Sequence, residues 1–351
     1  MNLSVKKAVL AQLPGVYAVG LAELVGEQYV TAASENRKGE SVIIHAQTHD
    51  VLPLSGGPGG VMALVPAPGE DAVLSIEEFY PIFDSAMACI VKSAARRNAN
   101  GITWQRTTLA TLPWVHRIAL LREPDGTYLA AGTLCEYKNN QEDWSNPGRV
   151  HIGRYTGGAI RMDVVLDGIV KHHAMYVKQN ENGWDDLYVG GENGVFHLTY
   201  AGNQRWNTQK IAPYAASDIC LYDLDGDGQE ELILIEGFHG NRIHVLKPST
   251  NSYDSIVTCP LPFGHVLWGG TVCKRPCLIA AGRSGAKELA LYHLTKKSGR
   301  DEMEKLILDV GVGASQIAVR ETPRATEIFS ANHAQGTVSL YTIQELRGGT
   351  L

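Results

Sequence analysis

The sequence predicts an all-β fold: a seven-bladed β-propeller of four-stranded blades, built by a single domain over residues 1–351. Three observations carry that expectation. An apolar strand opening recurs near residues 16, 60, 116, 172, 217, 265 and 315, a spacing of about 50 residues that matches the period of a propeller blade. The 37 glycines punctuate short Val/Ile/Leu/Tyr runs, as in a chain of many strands and tight turns. The seventh repeat ends after its third strand, whereas Leu3–Leu10 stands where every other repeat has a fourth. That N-terminal strand is expected to join the last blade and close the ring, which removes exposed sheet edges.

The clearest repeat is Ser217–Lys247, with strands Asp218–Tyr222, Glu231–Glu236 and Arg242–Lys247, followed by a fourth at Tyr253–Cys259. In the other repeats, second strands are expected at Tyr29–Ser34, Ala72–Glu77, Tyr128–Cys135, Asp186–Gly190, Cys277–Gly282 and Glu327–Ala331. Third strands are expected at Ser41–Ala46, Met87–Lys92, Arg149–Arg154, Val195–Tyr200, Glu288–His293 and Thr337–Ile343.

Composition narrows the function classes. A chain 44% hydrophobic can bury a large core, and its length alone would also allow two domains. Repeat-built β folds of this size commonly form one. The net charge of −6 gives no electrostatic reason to expect nucleic acid or an anionic membrane surface as partner. The first residues lack the apolar run and small-residue cleavage site of a signal peptide, and no uninterrupted apolar stretch is long enough to span a bilayer. The six cysteines sit in apolar strands or beside turns without zinc-ribbon spacing, so the expected compartment is the reducing cytoplasm.

Alternating strand direction sorts the turns onto two faces. Turns between first and second strands lie on a far face. Turns between second and third strands, together with the starts of the first strands, gather on a near face around the central channel. The far face receives Asp223, Asp225, Asp227 and, leading into the next strand, Glu231. Carboxylates at alternate positions suit Ca²⁺. The loop is too short for an EF-hand, and a metal-free Asp/Gly turn is the competing reading.

First-strand starts bring Tyr17, His116, Arg117, His172, His173, Asp218, His265 and Gln316 to the near face. Second-to-third-strand turns add Arg37, Phe79, Tyr80, Lys138, Trp144, His239, Arg242, Arg283 and His333. Five of the twelve histidines (His116, His172, His239, His265 and His333) thus come from five blades to one face. Imidazole and phenol groups are general acids and bases near neutral pH, and guanidinium groups neutralise a carboxylate or enolate. These are the parts for taking a proton α to a carboxylate and expelling a β oxygen. His116, His172, His239 and Tyr80 are the candidate proton carriers; Arg37, Arg242 or Arg283 would hold the carboxylate. Lys138, Trp144, His265 and His333 are candidate substrate contacts. Trp144 could stack on a sugar ring or anchor its long loop, and both readings stand. Three of the histidines could instead hold Zn²⁺ or Mn²⁺ as a Lewis acid. A propeller that binds a glycan or protein without turning it over is the third reading.

Asp-Leu-Asp-Gly-Asp-Gly followed by Ile-Glu-Gly-Phe-His-Gly-Asn, with Leu-Pro-Trp-Val-His-Arg and Asp-Trp-Ser-Asn-Pro-Gly, resembles the FG-GAP-type propeller proteins. Within them the chain is most similar to the sugar-lyase branch, which includes rhamnosyl-glucuronate lyases and the propeller part of aldos-2-ulose dehydratases. The resemblance implies a seven-bladed propeller whose pocket eliminates across a C–O bond of a small carbohydrate substrate. The substrate would be a glucuronate-containing disaccharide or glycan end, or alternatively a keto-sugar dehydrated with the help of a metal.

Overall fold

A computed structural model describes residues 3–80, 84–99, 101–250 and 252–346, and among these residues there are 28 strands and no helix. Strand β1 (Leu3–Gln12) precedes the first blade. Blade 1 is β2 (Val16–Leu24), β3 (Glu27–Ser34), β4 (Ser41–His45) and β5 (Val51–Pro53). Blade 2 is β6 (Ala63–Pro66), β7 (Ala72–Glu77), β8 (Cys89–Asn98) and β9 (Gly101–Thr111). Blade 3 is β10 (Val115–Glu123), β11 (Gly126–Thr133), β12 (Gly148–Arg154) and β13 (Asp163–Ile169). Blade 4 is β14 (Ala174–Gln179), β15 (Asp185–Gly191), β16 (Gly194–Tyr200) and β17 (Trp206–Ala212). Blade 5 is β18 (Asp218–Tyr222), β19 (Glu231–Glu236), β20 (Arg242–Ser249) and β21 (Ser252–Pro260). Blade 6 is β22 (Gly264–Val272), β23 (Arg275–Gly282), β24 (Leu289–Lys297) and β25 (Arg300–Asp309). Blade 7 is β26 (Ala314–Glu321), β27 (Thr326–Asn332) and β28 (Thr337–Glu345), with β1 as its outermost strand.

Each blade is a four-stranded antiparallel sheet, and the ring closes as the sequence predicts. β1 runs antiparallel to β28 from Leu3↔Glu345 to Gln12↔Thr337. The ends of the described chain therefore hold one another by a hydrogen-bond ladder. Third strands run longer than predicted in blades 2 and 6, because β8 and β24 extend into outer hairpins with β9 and β25.

Burial follows position within the blade. Strands β3 and β7 are buried at nearly every residue, since a second strand is covered on both faces by neighbouring blades. The outer strand β9 alternates towards solvent instead. Blade-to-blade contact is apolar: Val16, Val30 and Ile44 of blade 1 pack with Phe329 and Leu340 of blade 7. Two-residue hairpins such as Val25-Gly26 and Cys273-Lys274 take positive φ at both positions, the backbone twist that lets neighbouring strands stay paired. The six cysteines are free thiols. No described helix is long and apolar enough to cross a membrane.

Candidate active site at the mouth of the central channel

The start of every innermost strand carries one extra residue against its partner strand. In blades 1, 3, 6 and 7 the pairing skips Tyr17, His116, His265 and Ser315. In blades 2, 4 and 5 the amides of Met62, His173 and Ser217 bond the carbonyl of the residue that already faces their successor. Such a bulge re-aims a side chain, and it defines seven equivalent positions around the channel mouth. The residue before each bulge packs between blades, as Val16, Val115, Ala216 and Ala314 do.

This equivalence corrects the reading of blade 4. His172 holds the inward position that valine, alanine or glycine fills elsewhere, and is 1% exposed. Its ring lies in the wall where a Cβ on Gly132 would sit 2.4 Å from its Cε1, and neither ring nitrogen has a hydrogen-bond partner. His173 takes the bulge position and faces the channel. Sequence alternation alone could not decide between adjacent histidines.

His173, His239 and His265 bring one ring nitrogen each within 4.8 Å of the others. Two of the three tautomers follow from their partners. His173 Nδ1 donates to the Ser217 carbonyl at 2.7 Å, and His265 Nδ1 donates to the Ser315 carbonyl at 2.8 Å. Each Nε2 therefore keeps its lone pair, an arrangement typical of metal-binding imidazoles. The acceptors belong to neighbouring blades, so inter-blade packing fixes the ring orientations.

His239 arrives from the β19–β20 turn. Its φ of 48° is left-handed, a costly conformation for a residue with a side chain. The next residue must be glycine, because a Cβ on Gly240 would lie 1.6 Å from the Glu236 carbonyl oxygen. The His239 ring is held among Phe238, Phe263 and His265, with centroids at 4.2, 4.5 and 5.4 Å.

Tyr17 sits at the centre. Its hydroxyl lies 3.1 Å from His265 Nε2 and 3.4 Å from His116 Nε2. With His265 Nε2 an acceptor, the consistent chain runs from His116 Nε2–H to the Tyr17 oxygen, and from Tyr17 O–H to His265. His116 Nδ1 is then a buried lone pair without a partner. His116 also packs against His173 and Phe79, with centroids at 4.6 and 5.0 Å.

The electrostatics keep these imidazoles neutral. Burial, then the Arg117 charge, holds His116 and His173 well below the usual imidazole range. Burial followed by Arg283 does the same for His265 and lowers His239 to about 4. Burial raises the Tyr17 phenol, against the pull of Arg117 and Arg283. Below the histidines the channel encloses about 250 Å³ between Arg117, Asp218, Gln316 and apolar side chains. Burial lifts Asp218 to about 6, opposed by Arg117.

Of the three arginines expected to hold a carboxylate, the structure brings one to the cluster. Arg283 lies beside Tyr17 and Phe263, and its Nη2 donates to His333 Nδ1 at 3.0 Å. His333 in turn donates Nε2–H to Glu35 at 2.6 Å. Arg37 instead pairs with Asp84 at 2.7 Å and stacks on Tyr80. Arg242 makes a two-point ion pair with Glu236. Tyr80 is buried beneath Arg37, with its hydroxyl on the Pro58 carbonyl at 3.3 Å, and its neighbour Phe79 faces His116. Lys138 and Trp144 form the rim: Lys138 Nζ stands 3.5 Å from the Trp144 ring, which packs on Phe238. Trp144 thus both anchors its loop and borders the site.

The sequence carries no signal for Glu35 or Phe263, marks Phe238 and Arg117 only through the Phe-His-Gly and His-Arg motifs, and places Tyr17 and His173 only among the residues of this face. The signal for Tyr17 and His173 was the repeat itself, once the bulge positions are aligned. Histidines on third strands have local partners: His197 meets Asp186, and His244 meets Glu236.

At the far end of blade 5, Asp223, Asp225 and Asp227 converge within 4.8 Å. Asp223 accepts from the Gly226 and Gly228 amides. The Lys247 ammonium lies 2.6 Å from Asp225 and from Asp227, and 3.6 Å from Glu231.

No protein-family model and no curated protein matches the sequence. Among solved structures, the fold is similar to a Bacteroides fragilis protein described as a 6-phosphogluconolactonase, with TM-score 0.51 and 14% identity over 94% of each chain. A Bacteroides uniformis protein described in the same words gives TM-score 0.52 and 11% identity over 93% of this chain and 95% of that one. A chain in a crystal structure of the mitotic checkpoint complex gives TM-score 0.58 and 12% identity over 97% and 93%. Such low identity between proteins of unlike role speaks for architecture alone. By its own strands and by this likeness, the chain is a seven-bladed β-propeller.

Proposed function

We propose that the channel mouth is the active site of a carbon–oxygen lyase acting on an acidic sugar, with a transition-metal cation held by His173, His239 and His265. The observation that carries this reading is the cage itself: three neutral imidazoles with converging ring nitrogens, two of them oriented through Nδ1, beside two guanidinium groups. A cation there would take over the His265 Nε2 lone pair that Tyr17 O–H now meets. Neither Arg117 nor Arg283 makes an ion pair among the described residues. Arg117 shares the channel with Asp218, so Arg283 is the guanidinium placed to meet a substrate anion.

When bound, Zn²⁺ or Mn²⁺ would supply a Lewis acid for an oxygen of the substrate. Arg283, fixed by His333 and Glu35, would hold the sugar carboxylate and stabilise the charge that develops when the adjacent carbon loses its proton. His116 Nδ1 is the base on this reading and accepts that proton. The C–H electron pair becomes the new carbon–carbon double bond, the bond from the β carbon to oxygen breaks, and the leaving oxygen takes a proton from Tyr17. Tyr17 recovers its proton from His116 Nε2–H, to which it is hydrogen-bonded, and this returns His116 to neutral. Trp144 and Phe238 offer an apolar rim for a sugar ring. The resemblance to sugar-lyase propellers agrees with this reading.

The test combines metal analysis of the purified protein with product analysis on glucuronate-containing disaccharides. Loading with about one Zn²⁺ or Mn²⁺ per chain, the ultraviolet absorption of an unsaturated uronate and release of an intact sugar are expected. Arg283→Ala should lower kcat/KM at least about tenfold, and Arg242→Ala should leave it within about twofold. A product heavier by one water would replace elimination with hydrolysis. Loss of water from a neutral keto-sugar would move the reading to a dehydratase, and absence of any product to a binding propeller. The Asp223–Glu231 loop stands apart, and Ca²⁺ there would act on stability alone.

A further inference from the structure

The far face holds a second recess, between blades 3 and 4, that the reading above does not use. It encloses about 420 Å³ and is lined by Glu123, Glu181, Asp186, Trp184 and Tyr200 among others, with no lysine or arginine in its wall among the described residues. Glu123 ends β10, paired with Gly126 across a two-residue hairpin turn. The same place holds Leu24 in blade 1 and Val272 in blade 6, both fully buried. Blade 3 thus puts a carboxylate where blades 1 and 6 put a hydrophobic side chain.

That carboxylate is 5% exposed, and its Oε1 has no hydrogen-bond donor. Its three aspartate neighbours are provided for. Asp185 is held by Arg122 through three N–H groups. Asp186 is held by Asn180 and His197, and Asp125 by the Tyr128 and Tyr200 hydroxyls. A buried carboxylate oxygen with no donor is costly, so the recess is one donor short. Burial, then Asp185, Asp186 and Asp125, raises Glu123 to about 7, which marks a place where added positive charge is stabilising.

A metal ion does not fit the need. Among the described residues no three ligand atoms converge here as they do in the histidine cage and the Asp loop. Trp184, 38% exposed, and Tyr200 offer aromatic faces, which attract organic cations. We propose that this recess binds a small organic ammonium ion, with Glu123 accepting its N–H and Trp184 and Tyr200 flanking it.

Calorimetric titration of the full chain with putrescine, beside butanediol of the same length as the uncharged control, tests this independently of any activity at the channel. Saturable binding of putrescine and none of butanediol is expected. Glu123→Gln, which keeps the shape and removes the charge, should weaken binding at least about tenfold. Trp184→Ala at the rim should weaken it about two- to fivefold. Were Glu123→Gln to unfold, Glu181→Gln on the exposed lip provides the second charge variant, with a severalfold loss expected. Failure of putrescine to saturate, equal binding of butanediol, or charge variants that bind as the parent does would overturn the proposal.

Discussion

The two ends of β19 carry two groups that the sequence marks alike as cation ligands, and the structure treats them differently. Six residues, Glu231–Glu236, separate the Asp loop on the far face from the His239 turn on the near face. Both groups bring three ligand atoms within 4.8 Å. The Asp loop is closed by its own chain: backbone amides bind Asp223, and Lys247 supplies the positive charge for Asp225 and Asp227. Among the described residues the histidine cage has no internal cation, and its internal partner is the Tyr17 hydroxyl on His265 Nε2. Its rings are fixed from behind by the Ser217 and Ser315 carbonyls, and the guanidinium groups of Arg117 and Arg283 donate to the His173 carbonyl and to His333 instead of to the inward ring nitrogens. Convergence of ligands is therefore weak evidence for a bound ion by itself. The informative question is whether the protein has already satisfied them.

The largest expected effect breaks the comparison at its strong end. His239→Ala removes one of three lone pairs and leaves the bulge-held pair His173 and His265 in place. Bound transition metal should be lost, and kcat/KM should fall about 100-fold or more. Asp225→Asn should change neither quantity. Metal content and rate measured on both variants decide the matter, and full retention of both in His239→Ala would remove the cage from the mechanism.

Acid should act on the two ends in a fixed order. The folded-state values of His172 and His239 lie near 4, against 6.5 for an ordinary imidazole, with burial the first cause. A base depressed in the folded state is protonated first in the unfolded chain. Stability present above about pH 6.5 is therefore lost as pH falls towards 4, with a slope of about 1.4 kcal/mol per pH unit for each proton taken up. His116, His173 and His265 shift in the same direction. Asp227, lowered by its bond to Lys247, contributes only at more acidic pH. Urea midpoints measured from pH 7 to pH 4.5 should fall steeply. A flat profile would mean that the near-face histidines already carry charge when folded.

The ring, its closure by β1 and the assignment of turns to faces were legible because each follows from counting: strands per repeat, repeats per chain, direction per strand. Details that depend on one residue were not legible. His172 and His173 differ only in which side of the bulge they occupy, and no pattern of residue types records a bulge. Tyr80 and Phe79 exchanged roles for a similar reason, since a turn does not say which of two adjacent rings it points inward. Arg37 and Arg242 looked equivalent to Arg283 until their partners Asp84 and Glu236 were seen. Charge pairing across blades or turns is a property of three dimensions, whereas His239 could be found because Gly237 and Gly240 frame it within one short turn.

The smallest effect sharpens the comparison at the Asp loop. Lys247 is about a quarter exposed and touches three carboxylates, so its ammonium belongs to a network rather than a lone surface pair. Such networks contribute about 1 kcal/mol. Lys247→Ala should lower the thermal midpoint by a few degrees at most. It should also leave Asp225, Asp227 and the fully buried Glu231 without their cation. Those oxygens are then open to Ca²⁺, which favours several carboxylate ligands at once. Millimolar Ca²⁺ should restore the midpoint of Lys247→Ala while moving that of the parent chain little, and a chelator should reverse the rescue. A parent chain that loses many degrees on chelation would show Ca²⁺ to be the loop's working cation with Lys247 a bystander, and the two ends of β19 would then be alike after all.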